Sequence, residues 1–231
     1  MASEIDISNT ALSYLGDAAN VSSIDPPEGS AQAEHCARFY PIARDALLEM
    51  HDWGFATRRV ALAQLANPTT QWAYCYAQPN NMVNPIAVLA SDGLDDTSVA
   101  MVSTVNALNG QVQGITGVYT PQPYVLEIAA DGTEVIYTNQ ENATLRYVAR
   151  VTDTSKFSPL FTLVLGRSLA SMLAGPVVKG REGSAESARQ FTIAFGQDGN
   201  SGLFGKAVSS DANQKRSTTR DRQQVAWLNG R

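Results

Sequence analysis

The stretch FSPLFTLVLGRSLASMLA, residues 157–174, decides the fold of this chain. Its apolar residues recur at spacings of three and four, which is the period of one helix face. Ser158 followed by Pro159 fits an N-cap and a first helical position. Gly175 and Pro176 follow at once, and we expect them to end or bend the helix. The predicted apolar face consists of Phe161, Leu165, Leu169, Met172 and Leu173.

Two further helices are predicted at the N-terminal end of the chain. Residues 4–15 form one of them, because Ser3 and Asp6 have the spacing of a capping box. Residues 30–50 form the second, with small and apolar residues at spacings of three and four. Pro41 lies inside this run, and we expect it to kink the helix because it removes one backbone hydrogen bond.

Between residues 53 and 156 the helical period disappears, and Gly, Pro, Asn, Thr and Val become frequent. Asp131 and Gly132 separate two strand-like runs and predict a hairpin with a type I′ turn. With a second turn at 139–142, they predict a three-stranded meander near residues 124–151. The candidate strands are Gln71–Ala77, Pro85–Ala90, Val99–Val105, Val112–Tyr119, Tyr124–Ala130, Glu134–Thr138 and Ala143–Val151.

After the helix at 157–174, the pattern stays helical but is interrupted by glycine. Gly183 is interpreted as the start of another helical segment. Four glycines within ten residues, between Gly196 and Gly205, are interpreted as a flexible break or loop. From Gln214 onward the chain is polar and basic, and it ends with an apolar group around Trp227.

These segments predict an α+β fold in which the two ends of the chain build one helical bundle. The apolar faces of the N-terminal and C-terminal helices cannot be buried separately, so we expect them to pack on each other. Residues 1–55 and 157–212 are assigned to the bundle, and residues 56–156 to an inserted antiparallel β domain. Residues 213–231 are assigned to an extended basic C-terminal arm.

Charge is scarce in this chain of 231 residues and is divided unevenly. Charged residues make up 17%, against about 25% in an average globular domain. Residues 213–231 hold five basic side chains and one Asp, whereas the rest of the chain holds 12 basic and 21 acidic ones. Because duplex DNA is bound mainly through its phosphates, such an acidic body is not expected to be a general DNA-binding domain.

Composition and motif spacing exclude several other classes of protein. The apolar content of 44% is too high for global disorder. The stretch 160–178 is interrupted by Arg167 and by hydroxyl residues, so we expect no membrane span, and the N-terminus lacks the pattern of a signal peptide. Cys36 and Cys75 are predicted to be reduced core thiols, because they lie in different kinds of segment.

Three constellations could carry chemistry, and for each a structural interpretation is favoured. Asp45, His51 and Asp52 could form an acid–base cluster, but capping at a helix end explains them as well. The loop with Asp92, Asp95 and Asp96 lacks the ligand spacing of an EF-hand. The glycines of residues 196–205 lack the Gly-Lys-Ser/Thr ending of a phosphate-binding loop. We therefore predict no catalytic residue, no metal site and no cofactor.

An ordered series of motifs resembles the tail tubular protein A family, the head-to-tail adaptors of short-tailed phages. No single motif is specific to this family, but the order and spacing of the motifs over roughly residues 5–180 are specific to it. They are NTALSYLG (9–16), AEHCARFYPIARDALL (33–48), HDWGFA (51–56), RVAL (59–62), WAYCYAQP (72–79), LRY (145–147), FSPLF (157–161) and LASMLA (169–174). The chain departs from the family at residues 196–205, where a long helix poor in glycine would be expected.

The resemblance implies a structural protein of the virion neck, made in the host bacterial cytoplasm and without enzymatic activity. It implies a homo-oligomeric ring, usually of twelve subunits, between a portal protein above and a tail nozzle below. Genomic DNA would pass through the ring without sequence-specific binding, and an acidic wall would repel its phosphates. No membrane takes part.

Two groups of residues acquire roles in this interpretation. Arg44 and Asp45 are predicted to form a helix-surface pair or a contact between subunits, and Trp53 and Phe55 to close the base of the bundle. The basic arm is predicted to dock on the portal through its cations and its apolar end. The arm residues concerned are Lys215, Arg216, Arg220, Arg222, Trp227 and Leu228.

Two alternatives remain open at the level of sequence. The chain could be a virion-associated hydrolase of polysaccharide or peptidoglycan that uses carboxylates of the β domain, although no motif supports this. It could also be a tail component whose β domain binds glycans without catalysis.

Overall fold

The computed structural model describes residues 2–18, 20–90, 104–105, 112–113 and 121–215 of the chain. The fold is α+β, with helices from both ends of the chain and antiparallel strands between them, as the sequence predicts. The helices are α1 (Glu4–Tyr14), α2 (Ala31–Glu49), α3 (Pro159–Val178), α4 (Gly180–Phe195) and α5 (Gly202–Lys215).

Helix α3 is the centre of the bundle and contacts each of the other four helices. Its N-terminus forms as predicted, because the Ser158 hydroxyl accepts a hydrogen bond from the Phe161 amide at 3.2 Å. Among the described helices, α3 alone is long and apolar enough to cross a membrane by length and composition, and half of its most apolar window is buried in the protein. Its packing against four helices accounts for that apolar character.

The predicted end of α3 at Gly175 and Pro176 is two to three residues too early. The helix continues through Pro176 to Val178 and ends where Lys179 and Gly180 adopt positive φ angles of 62° and 61°. Helix α4 then begins directly at Gly180, so the predicted start at Gly183 is wrong.

The two N-terminal helices form where the sequence predicts them, while the kink expected at Pro41 stays a prediction. At the start of α1, the Ser3 hydroxyl accepts from the Asp6 amide at 3.1 Å, and the Asp6 carboxylate accepts from the Ser3 amide at 2.8 Å. This is the complete capping box. Helix α2 runs unbroken through Pro41, with the Ser30 hydroxyl as its N-cap.

The strands form two main antiparallel sheets. One has three strands in the order β1-β9-β4, and the other has four in the order β2-β3-β8-β7. A two-stranded ladder of β5 and β6 completes the described part. The strands are β1 (Thr57–Ala61), β2 (Gln64–Leu65), β3 (Tyr74–Ala77), β4 (Met82–Leu89), β5 (Thr104–Val105), β6 (Val112–Gln113), β7 (Tyr124–Ile128), β8 (Glu134–Thr138) and β9 (Thr144–Ala149).

The predicted three-stranded meander is wrong, although its first hairpin exists. Strands β7 and β8 pair as predicted, but β9 leaves this sheet and pairs with β1 and β4. The turn at Asp131 is not of type I′, because only Gly132 has a positive φ angle, of 86°. The Gly132 amide donates to the Ala129 carbonyl, and the Asp131 carboxylate accepts from the Thr133 amide, as in a tight turn followed by a bulge.

Several other strand predictions need correction. The sequence did not predict β1 and β2, and β3 begins only at Tyr74. Of the candidate strands 99–105 and 112–119, the structure describes only the short segments β5 and β6, and the remainder lies outside the described residues.

The helical bundle and the β domain share one hydrophobic core. Val148 of β9, together with Ala56 and Val151 beside the sheet, packs into the cluster of buried helical residues. A second cluster, which includes Tyr76, Val88, Ile136, Leu145 and Tyr147, lies between the two sheets. The β domain is therefore attached to the bundle through packed side chains, in addition to the chain connections.

The glycine-rich stretch 196–205 is only partly the predicted loop. Gly196–Ser201 connects α4 to α5, but α5 begins at Gly202 and contains Gly205. A Cβ on Gly205 would lie 2.7 Å from the Asn200 carbonyl oxygen, so glycine here permits a close approach of two backbone segments.

Candidate functional site

Trp53 and Phe55 lie where α2, α3, α5 and the β domain meet. The Trp53 side chain is fully buried, and its indole N–H donates to the Leu47 carbonyl at 2.7 Å. That carbonyl is one of the last in α2, which lack partners within the helix. The Trp53 ring lies 5.0 Å from the Phe161 ring in an edge-to-face arrangement, and Phe55 also packs on Phe161. The predicted closure of the bundle base corresponds to this aromatic cluster.

Arg44 and Asp45 form part of an ionic network that connects α2 to the β domain. The Asp45 carboxylate accepts from Nε of Arg44 at 2.8 Å and from Nε of Arg150, directly after β9, at 3.0 Å. Arg44 is buried, so the pair is not simply on the helix surface as predicted. Its predicted role between subunits stays a prediction.

Asp211 of α5 forms the second polar connection, and sequence reasoning missed it. Its carboxylate accepts from the Gly54 amide at 2.9 Å and lies 3.1 Å from Nε2 of His51. The side chain is 9% exposed. A single Asp in a polar helix carries no sequence signal for such a role, because its partners lie about 160 residues away.

The sequence cluster of Asp45, His51 and Asp52 is thus divided by the fold. Asp45 pairs with arginines, and His51 lies against Asp211 and edge-on to Trp53. A groove of about 980 Å³ runs beside His51, between the end of α2 and α5. The hydroxyls of Ser201 and Ser209 in its wall donate to Asp198 and to the Gly205 carbonyl. A serine nucleophile would instead need to donate to the histidine.

The cysteines behave as core thiols, as the sequence predicts. Both are free and buried. Burial raises the pKa of the Cys36 thiol to about 11, although a hydrogen bond with Ser8 lowers it slightly. The nucleophilic form of cysteine is the thiolate, so Cys36 is chemically inert near neutral pH. Within the described ranges, no group of three or more His, Cys, Asp or Glu side chains could hold a metal ion.

The predicted docking arm falls almost entirely outside the described residues. Asn213–Lys215, which the prediction assigned to the arm, lie in α5. Arg216, Arg220, Arg222, Trp227 and Leu228 lie outside the described part of the chain, as does the acidic loop with Asp92, Asp95 and Asp96.

Large apolar side chains remain exposed on the described surface, most notably on β7. Val125, Leu126 and Ile128 of this strand are 37%, 39% and 72% exposed. Because neighbouring side chains of a strand point to opposite faces, both faces of β7 present apolar groups to solvent. Other exposed apolar side chains occur on or beside the helices, at Ile42 of α2, Met50 directly after α2, Leu163 of α3 and Phe191 of α4.

A scan against protein-family models finds no match for this chain, and a search of curated proteins finds none either.

Proposed function

We propose that the chain is a structural subunit of a phage head-to-tail adaptor, a ring between the portal and the tail nozzle. The observation that carries this proposal is the two-sided exposure of β7, where three of five side chains are apolar and exposed. Strand β7 is also an outer strand of its sheet, and exposed apolar side chains on an outer strand favour association with another chain. The order of motifs along the sequence supports the identity of the assembly.

The division of charge supports the arrangement of the ring. The chain outside residues 213–231 carries 21 acidic and 12 basic side chains. A channel wall of this composition repels the phosphates of passing DNA, so the DNA slides without binding. The basic arm then contacts an acidic surface of the portal, and its apolar end fills a pocket there. The mature protein resides in the virion neck after assembly in the bacterial cytoplasm.

The experiment that tests this proposal mixes the purified chain with portal rings of the same phage. We expect a ring of this chain on one side of each portal, visible by electron microscopy of the mixture. A chain that stays monomeric and does not bind portal rings at micromolar concentration would contradict the proposal.

A matched pair of variants tests the arm separately. Deleting residues 216–231 keeps every described residue of α5, Gly202–Lys215. We expect this deletion to abolish portal binding. Substituting only Trp227 and Leu228 by serine preserves every charge of the arm and is expected to weaken binding at all salt concentrations. Undiminished portal binding by the deletion variant would rule out docking through the arm.

The hydrolase and glycan-binding alternatives have no supporting observation in the described residues. They make a clear contrasting prediction, because the chain would then degrade or bind peptidoglycan or capsule without any portal. We expect neither result with the purified chain.

A further inference from the structure

Each of the two main sheets has two outer strands in the described structure, β1 and β4 in one and β2 and β7 in the other. In each of β1 and β7, four of the five side chains are exposed. An outer strand presents unpaired amide and carbonyl groups and is a template for pairing with another chain.

Strands β1 and β7 belong to different sheets and do not pair with each other in the described structure. In one direction β9 and β4 lie between them, and a single bridge between Val88 and Gln122 connects β4 to the segment before β7. In the other direction β2, β3 and β8 lie between them, and β2 follows β1 after only two residues. A contact from β1 of one copy to β7 of another is therefore head-to-tail, the kind of contact that builds closed rings.

The side chains of the two strands are complementary in charge and in polarity. Strand β1 exposes Arg58, Arg59 and Val60, whereas β7 exposes Val125, Leu126, Glu127 and Ile128. Arg58 forms no ion pair within the described part of the chain. Antiparallel pairing over the full length of both strands places Arg58 opposite Glu127 and Val60 opposite Val125. Both pairs lie on the same face of the new ladder, because each strand alternates with a period of two.

We infer that β1 of one subunit pairs with β7 of the next, in the antiparallel register that sets Arg58 opposite Glu127. This rests on the proposed ring and identifies the strands through which its subunits associate. The pairing would join the four-stranded sheet of one subunit to the three-stranded sheet of its neighbour. It also brings Val60 of β1 beside Val125 of β7, so that part of the apolar surface of β7 is covered.

Charge reversal on full-length protein tests this pairing. Native mass spectrometry would measure assembly of the wild type, Arg58→Glu, Glu127→Arg and the double variant. Opposite charges placed directly across a ladder stabilise it, and like charges destabilise it. We expect each single variant to need at least tenfold more protein to assemble, and the double variant to return to within threefold of the wild type. Glu141→Arg, which changes the same charge in an exposed turn, should assemble as the wild type does.

A cross-link gives an independent readout of the register. Val60→Cys and Val125→Cys combined in one chain should yield a ladder of disulfide-linked multimers on mild oxidation, whereas each single variant should not. Circular dichroism would detect a variant that fails to fold. We expect the variants to fold, because the substituted side chains are exposed.

The outcomes separate the inference from the proposed function. If the wild type assembles on the portal but every charge variant assembles equally well and no ladder forms, the strand pairing is wrong and the ring remains. If the single variants are impaired and the double variant is not rescued, the register is wrong. If the wild type forms no ring under any condition, both proposals are wrong.

Discussion

Replacing Gly183 by alanine tests the close packing of α3 on α4. Gly183 is a buried residue within α4, and a Cβ at this position would lie 2.8 Å from the Ala174 carbonyl oxygen of α3. Since that atom belongs to helix backbone, the two helices would have to separate. Overpacking of this kind costs about 1–3 kcal/mol, against a helix-propensity gain of up to about 1 kcal/mol for glycine to alanine.

Gly166 provides the matched control because it is also buried and helical. A Cβ at Gly166 would lie 3.6 Å from Cε2 of Tyr14, which is an ordinary contact distance. Gly166→Ala should therefore keep the propensity gain and leave the free energy of unfolding unchanged or raise it by up to about 1 kcal/mol. Because the propensity gain is the same in both variants, we expect them to differ by the overpacking cost of about 1–3 kcal/mol, with Gly183→Ala the less stable.

Urea unfolding followed by circular dichroism at 222 nm measures this difference. Two protein concentrations should be compared, because assembly of the folded chain raises its apparent stability. If Gly183→Ala were as stable as Gly166→Ala, or more so, the close approach of α3 and α4 would not limit this position and the reasoning would fail.

Three further predictions concern the junction of the helices and the core thiols. Trp53→Phe removes a buried hydrogen bond and part of a packed ring, so we expect it to lower the free energy of unfolding, measured in urea, by about 2–4 kcal/mol. The same change at the half-buried Trp72 should lower the free energy of unfolding by less than about 1 kcal/mol. Asp211→Ala leaves the Gly54 amide without its acceptor and should lower the free energy of unfolding by about 1–3 kcal/mol. As a control, Asp52→Ala on the exposed surface should change the free energy of unfolding by no more than about 0.5 kcal/mol. Equal effects of the two substitutions would contradict the role of Asp211. The raised pKa of Cys36 means that the folded state prefers the protonated thiol, so this contribution to stability is complete below pH 9 and is lost as the pH rises towards 11. Cys36→Ala should flatten that part of the stability profile measured in urea, and an unchanged profile would show that another group is responsible.

Helix α3 shows how much of the fold the sequence could predict. Its start, its apolar face and its central position follow from local signals, namely the Ser-Pro pair and apolar residues at helical spacing. The same reasoning predicted α1, α2 and the β7–β8 hairpin. It placed β9 in the wrong sheet, because a local turn signal says which strands are consecutive but not which strands pair.

Glycine was the main source of error in the C-terminal helices. Gly183 was interpreted as the start of a helical segment and Gly205 as part of a break, yet both lie inside helices where a Cβ would collide with a backbone carbonyl. Gly202, by contrast, has a positive φ angle of 64° at the start of α5. A single sequence does not show whether a glycine is needed for a positive φ angle or for a close contact between two backbone segments. The first depends on the local backbone, whereas the second depends on which distant segments pack together.

Several of the charged side chains form polar connections between parts of the fold. Asp45 pairs with two arginines between α2 and the β domain, and Asp211 pairs with His51 at the base of the bundle. Arg167 lies 3.4 Å above the Tyr14 ring, between α3 and α1. In a chain with only 17% charged residues, such internal use leaves few charges to keep the exposed apolar strand β7 in solution. Association of identical subunits through β1 and β7, as proposed above, would cover part of that strand in every copy.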